Sequence, residues 1–174
     1  MEFNKLKITL AVLALLTLNT FAQKINWVSI EEAVRLSEKE PKHILIDVYT
    51  DWCGYCKKMD RETYENRVIV GLINKNFYAV KFNAEQRDSI VFKGKTFGFI
   101  NQGRRGVHEF AAALLKGKMS YPSTVFLDKK QGIIDRVPGY LRPNFMEQVL
   151  GFIGEDRYKD TSFESYQKNH TSQL

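Results

Sequence analysis

The sequence predicts an α/β fold: a central mixed β-sheet flanked by helices on both faces. Three observations lead there. Helix-like and strand-like segments alternate along the chain in the order α-β-α-α-β-α-β-β-α. Ile44–Tyr49 is short, β-rich and almost continuously apolar, as expected of a strand buried on both faces. Lys129-Lys-Gln-Gly132 separates two further strand candidates and signals an antiparallel hairpin at one edge.

Each element has its own local reason. Ser29-Ile-Glu-Glu32 reads as a capping box, with the Ser29 hydroxyl and the Glu32 carboxylate satisfying free amide groups at a helix start. Ala33, Val34 and Leu36 give that helix an apolar side, and Pro41 stops it. From Cys53 to Tyr64 the composition is helical, with no Pro and no Gly after Gly54. Asn66 caps a further helix through Val68, Ile69, Leu72 and Ile73, and Phe77–Phe82 is the second strand. The stretch 85–120 is less regular, carries Gly94, Gly98, Gly103 and Gly106, and ends in a helix from Val107 to Lys116; it reads as a surface insertion. Ser123–Asp128 and Ile133–Val137 are the hairpin strands. Pro143 suits the first turn of a last helix with Phe145, Met146, Val149, Leu150 and Ile153 on its apolar side. Residues 155–174 are polar and read as a loosely held tail with one turn around Phe163 and Tyr166, which places the domain at 23–154.

The 174 residues, 44% of them hydrophobic, suffice for one core without help from disulfides. Two cysteines exclude a disulfide-rich scaffold, and the composition excludes collagenous and wholly disordered classes. A net charge of +6 permits contact with anionic surfaces without demanding it. The N-terminus reads as an export signal covering residues 1–22. Lys5 and Lys7 precede an apolar run from Ile8 to Leu18, and Thr20-Phe21-Ala22 suggests cleavage before Gln23. The run is far short of the about 20 residues that span a bilayer, so no stable membrane insertion is expected after cleavage. Export, to a bacterial periplasm, places the cysteines where thiol–disulfide chemistry operates.

Those cysteines stand in Asp47-Val-Tyr-Thr-Asp-Trp-Cys53-Gly-Tyr-Cys56-Lys-Lys, at the junction of a buried strand and a helix. At a helix N-terminus Cys53 faces unpaired backbone N–H groups and the positive end of the dipole, which favour the thiolate. Cys56, one turn later on the same face, can attack Cys53 and resolve a mixed disulfide. Gly54 allows another chain to approach closely, and Trp52 can shield one side of the sulfur. A structural zinc site needs four ligands, and neither a second Cys pair nor paired spacing of His43, His108 and His170 supplies them. No metal or other cofactor is expected. A bridge across two residues closes too small a loop to stabilise much, which leaves redox chemistry as the reading.

Here the sequence resembles the thioredoxin superfamily, from about Trp27 to Ile153. Ile44-Leu-Ile-Asp47 with Trp52-Cys-Gly-x-Cys-Lys57 is similar to the family's active-site strand and helix. Tyr121-Pro122-Ser-Thr-Val-Phe-Leu-Asp resembles its second signature, a cis-proline before a strand. The resemblance implies the thioredoxin fold and a substrate groove in which the backbone at Tyr121-Pro122 pairs with an extended chain. Gly139 matches a late glycine that keeps this groove open. It further implies Asp47 as the group that takes the Cys56 proton, its acidity weakened by burial, and Lys81 as the lysine beside it. Gly54-Tyr55 replaces the Gly-Pro of thioredoxin itself. That dipeptide resembles bacterial periplasmic disulfide isomerases, whose dimerisation domain is absent from this sequence, and the surrounding motif resembles exported reductase domains.

Two other classes fail on residues. Gly94-Lys95-Thr96 imitates the end of a P-loop, but Ser89 stands where its first glycine is required. Phe92 to Phe99, with Arg104 and Arg105, interleaves basic and aromatic residues, yet an exported protein rarely meets single-stranded nucleic acid. The expectation is a reductase of protein disulfides working with a redox partner. Isomerase, oxidase and non-enzymatic binding module stand as alternatives.

Overall fold

Alternation along the central strands decides which side chains meet which helices. The computed structural model describes residues 23–101 and 106–174. The expected export signal at 1–22, and Gly103, Arg104 and Arg105 of the insertion, lie outside the described residues. β1 (Trp27–Val28), β2 (His43–Tyr49), β3 (Phe77–Asn83), β8 (Ser123–Leu127) and β9 (Ile133–Pro138) form one sheet in the order β1-β3-β2-β8-β9. β1, β3 and β2 run parallel, while β8 and β9 pair antiparallel, so the sheet is mixed. Ile44, Ile46 and Val48 of β2 point to one face and pack with Val80, Val125 and Leu127. Leu45 points to the other, with Ala79 and Phe126. The first face is covered by α1 (Ile30–Lys39) and α4 (Glu109–Leu114), the second by α2 (Gly54–Glu62), α3 (Arg67–Asn76) and α5 (Pro143–Gly154).

The caps follow the sequence with one change. The Ser29 hydroxyl accepts the Glu32 N–H at 3.1 Å, but the Glu32 carboxylate turns to Arg35 rather than back to the cap. Asn66 Oδ1 accepts from both Val68 and Ile69, and Pro143 opens α5. Strand β1 was invisible at sequence level because two residues carry no periodicity.

The insertion is more than a surface addition. It folds into two short ribbons, β4 (Ile90–Phe92) with β5 (Lys95–Phe97) and β6 (Phe99–Ile100) with β7 (Val107–His108), before α4. Residues 107–108, expected in the helix, are therefore strand and cap. Ile90, Phe97 and Phe110 are buried in the first core cluster, where Phe92 and Phe97 meet the Phe110 ring. His108 is wholly buried; its Nδ1 accepts the Phe110 N–H and its Nε2–H donates to the Asp88 carbonyl, which fixes the tautomer.

Nor is the C-terminal segment loosely held. A 3₁₀ turn (Arg157–Lys159) and α6 (Phe163–Asn169) lie against α5. The Phe163 ring packs between Phe145 and Phe152, and Tyr166 lies so near Gly151 that a Cβ there would come within 2.2 Å of its hydroxyl. The buried Glu147 carboxylate accepts from Ser172 Oγ and the Gln173 N–H. Asp156 pairs with His43 at the start of β2 and with Lys129 and Lys159. Polar composition concealed this because the tail's partners are acids and rings over 20 residues away in sequence or on another element. Phe163→Ala should cost about 2 kcal/mol, less than a fully buried Phe. It should expose the chain beyond Glu155 to limited proteolysis; an uncut tail in that assay would contradict the docking.

Candidate active site

The C-terminal ends of β2 and β3 and the start of β8 lie at one end of the sheet, as the register Val48↔Phe82 and Val48↔Ser123 requires. The chain leaving β2 there enters α2 through Cys53, which is the helix N-cap. Its sulfur accepts the Cys56 N–H at 3.1 Å, and Cys53 and Cys56 are joined in a disulfide with their Cα atoms 5.3 Å apart. Helix geometry brings the pair together, since residues three apart lie on one face. Both are nearly buried, Cys53 at 5% exposure and Cys56 at 2%, while the neighbours Trp52 and Tyr55 stand out at 53% and 65%. Nothing lies within 4 Å of where a Gly54 side chain would begin. The disulfide is thus flanked in sequence by two exposed rings and by the open space beside Gly54.

Tyr121–Pro122 is a cis peptide bond immediately before β8. Gly139, at φ +92°, a conformation that disfavours other L residues, donates its N–H to the Pro122 carbonyl at 2.8 Å. The Trp52 and Tyr121 rings meet edge to face at 6.0 Å, and Trp52 Nε1 donates to Glu85. Burial and the Glu85 charge push the Tyr121 phenol up to about 12, so it stays neutral. On the other side Tyr55 lies against Tyr140, whose hydroxyl donates to Glu62.

Asp47 is buried in β2, on the Leu45 face and hence on the side of α2. In register it stands between Lys81 of β3 and Thr124 of β8. Lys81 Nζ donates to Asp47 Oδ2 at 3.2 Å and also to Asp60 of α2, and three rings, Trp27, Tyr49 and Tyr64, surround the ammonium at 5.1–5.6 Å. Burial raises the Asp47 carboxyl to about 6, against the attraction of Lys81. For Lys81 burial is outweighed by Asp47 and Asp60, which hold it above its usual value and therefore charged.

Residues 30–154 match the model of the thioredoxin-like domain. The chain belongs to that family. The thioredoxin-like domain thus takes up most of the chain, and its fold recurs in solved structures. A thioredoxin-fold protein from Helicobacter pylori aligns at TM-score 0.56 and 22% identity, covering 73% of this chain and 83% of that one. A thioredoxin from Thermus thermophilus aligns at TM-score 0.54 and 15% identity, covering 86% and 99%. Among curated proteins, spermatogenesis-associated protein 20 of Rattus norvegicus is 33% identical over 60 residues, 34% of this chain but 8% of that protein. This chain therefore spans a small part of that relative.

Within the thioredoxin-like domain the predicted residues fall into groups. Cys53 and Cys56 are bonded; Trp52 meets Tyr121; Pro122 meets Gly139; Asp47 meets Lys81. Reasoning from sequence missed Asp60, Tyr64, Glu85 and Tyr140. Asp60 carried a signal, four residues after Cys56 and so on the same helical face. Among the described residues no cluster of His, Cys, Asp or Glu could hold a metal ion. No helix among them is long and apolar enough to cross a membrane.

Proposed function

We propose that this protein is an exported thiol–disulfide oxidoreductase that reduces disulfides of other proteins. The observation that carries the reading is the Cys53–Cys56 pair at the N-terminus of α2, beside the exposed Trp52 and Tyr55. In the reduced protein the Cys53 thiolate attacks a substrate disulfide, forms a mixed disulfide and expels one substrate thiolate. Cys56 passes its proton to Asp47 and attacks Cys53; the second substrate sulfur leaves with the electron pair, and the Cys53–Cys56 bond reforms. Lys81 holds Asp47 in place, and the Tyr121–Pro122 backbone docks the extended substrate, with Gly54 and Gly139 leaving room for it. A separate redox partner must then reduce the pair. The N-terminal pattern at residues 1–22 supports export to a periplasm.

Reduction of an insulin-type disulfide is the test. Cys53→Ser should lower the rate at least about a hundredfold. Equal rates for variant and wild type would remove the enzymatic reading and favour a binding module. The reduction potential sets the direction: a value near −270 mV fits a reductase, and one far above it an oxidant or isomerase.

A further inference from the structure

We infer that Met119 is a modification site for peroxides, and that its conversion to the sulfoxide weakens the docking of a polypeptide substrate. The effect on docking rests on the function proposed above; the site itself does not. Met119 is 37% exposed, whereas Met59 and Met146 are wholly buried in the second core cluster. The Met59 sulfur also accepts the Leu141 N–H at 3.5 Å, so its lone pair is engaged. Oxidation of sulfur follows its exposure to the oxidant. In the oxidised protein Cys53 and Cys56 are bonded to each other, and no free cysteine occurs among the described residues. With no thiolate to compete, Met119 is the accessible sulfur among those residues.

Its place in the fold gives the modification a consequence. α4 ends at Leu114, and residues 116–120 form an exposed loop that leads into the cis Tyr121–Pro122 peptide, just beyond Met119. The loop is held by its own hydrogen bonds. The Lys118 N–H donates to the Leu115 carbonyl, the Met119 N–H to the Gly117 carbonyl and the Ser123 hydroxyl to the Ser120 carbonyl. Tyr121 in turn meets the Trp52 ring. Of the six large apolar side chains exposed among the described residues, Trp52, Tyr55 and Met119 belong to the two segments that carry the cysteines and the cis-proline. Apolar side chains gathered in water at one end of a molecule mark a contact surface, and the flexible thioether of methionine adapts to varied apolar partners. A peroxide gives one oxygen atom to the Met119 sulfur, its O–O bond breaks, and it leaves as water with two electrons taken from the sulfur. The product is a polar sulfoxide where an apolar side chain stood. A docking chain must strip water from that oxygen, so binding weakens while the chemistry of Cys53 and Cys56 is untouched.

The test treats the disulfide form with excess hydrogen peroxide and compares it with untreated protein, for wild type, Met119→Leu and Met119→Gln. Peptide mapping of the wild type should place the added oxygen on Met119 and leave Met59 and Met146 unmodified. Oxygen found first on either buried methionine would overturn the site. In insulin reduction with dithiothreitol as the electron source, treated wild type should show a KM about fivefold higher at an unchanged kcat. Met119→Leu should have the same KM before and after treatment, which assigns the change to this sulfur. Met119→Gln, polar without any oxidant, should start with the raised KM. An active wild type whose KM is unmoved by full oxidation of Met119 would overturn the effect on docking. So would a loss of activity that Met119→Leu shares, because the damage would then lie elsewhere. An untreated wild type that reduces no insulin disulfide would remove the proposed function and the docking effect together, while the mapped oxygen still decides the site.

Discussion

Cys56→Ser is expected to turn the protein from a turnover catalyst into a trap that accumulates a covalent complex with its substrate. Cys53 would keep what makes it reactive. It caps α2, and the N–H that its sulfur accepts comes from the backbone of residue 56, which serine retains. The first exchange therefore proceeds, with Cys53 bonded to a substrate sulfur. The second requires a thiol held beside that bond, and in the wild type it comes from a residue whose Cα lies 5.3 Å away. Such intramolecular groups act at effective molarities far above any soluble thiol. Turnover should fall at least about a thousandfold, while intact mass shows one substrate thiol attached at Cys53. If Cys56→Ser turned over insulin disulfides at the wild-type rate, the resolving role would be wrong.

Asp47→Asn is expected to stabilise the oxidised protein at neutral pH and to flatten its stability profile. The Asp47 carboxyl is raised from 3.8 to about 6, chiefly by burial. Below the unfolded value both states hold the proton, and the folded state suffers no charge burial. Between about 4 and 6 the folded state holds a proton that the unfolded state has lost, so folding stability decreases as pH increases. The contribution is present at low pH and lost as pH rises through about 6. Two pKa units correspond to on the order of 3 kcal/mol, with no discount for exposure because the carboxylate is fully buried. Asparagine carries no such charge, and Lys81 keeps Asp60 as a partner. Urea unfolding at pH 4 and pH 7.5, disulfide intact, should give a wild-type minus variant difference that shifts by that order in favour of the variant. A shift of the opposite sign would mean that the Lys81 attraction outweighs burial.

These effects divide by how far apart in sequence their causes lie. The sequence alone determined the order of the four long strands and the helices between them, the cap at Asn66, the hairpin around Lys129–Gly132 and the Cys53–Cys56 pairing. Each depends on residues within one turn, one strand or one helix, where spacing dictates contact. Asp47 was also legible, as a carboxylate in an apolar strand, and Lys81 through the resemblance.

Tertiary structure decided what stands around them. Lys81 is shared with Asp60, and Tyr64 and Thr124 close on Asp47, because β2, β3, β8 and α2 meet there from positions 47 to 124. Phe92 and Phe97 pack on Phe110 against the core cluster that holds Ile44, Ile46 and Val48, and Phe163 packs on the Phe145 and Phe152 rings that only the folded α5 presents together. Local pattern records which face of an element is apolar. It does not record which other element will cover that face, since that choice follows from sheet order and register, settled by burial over the whole chain.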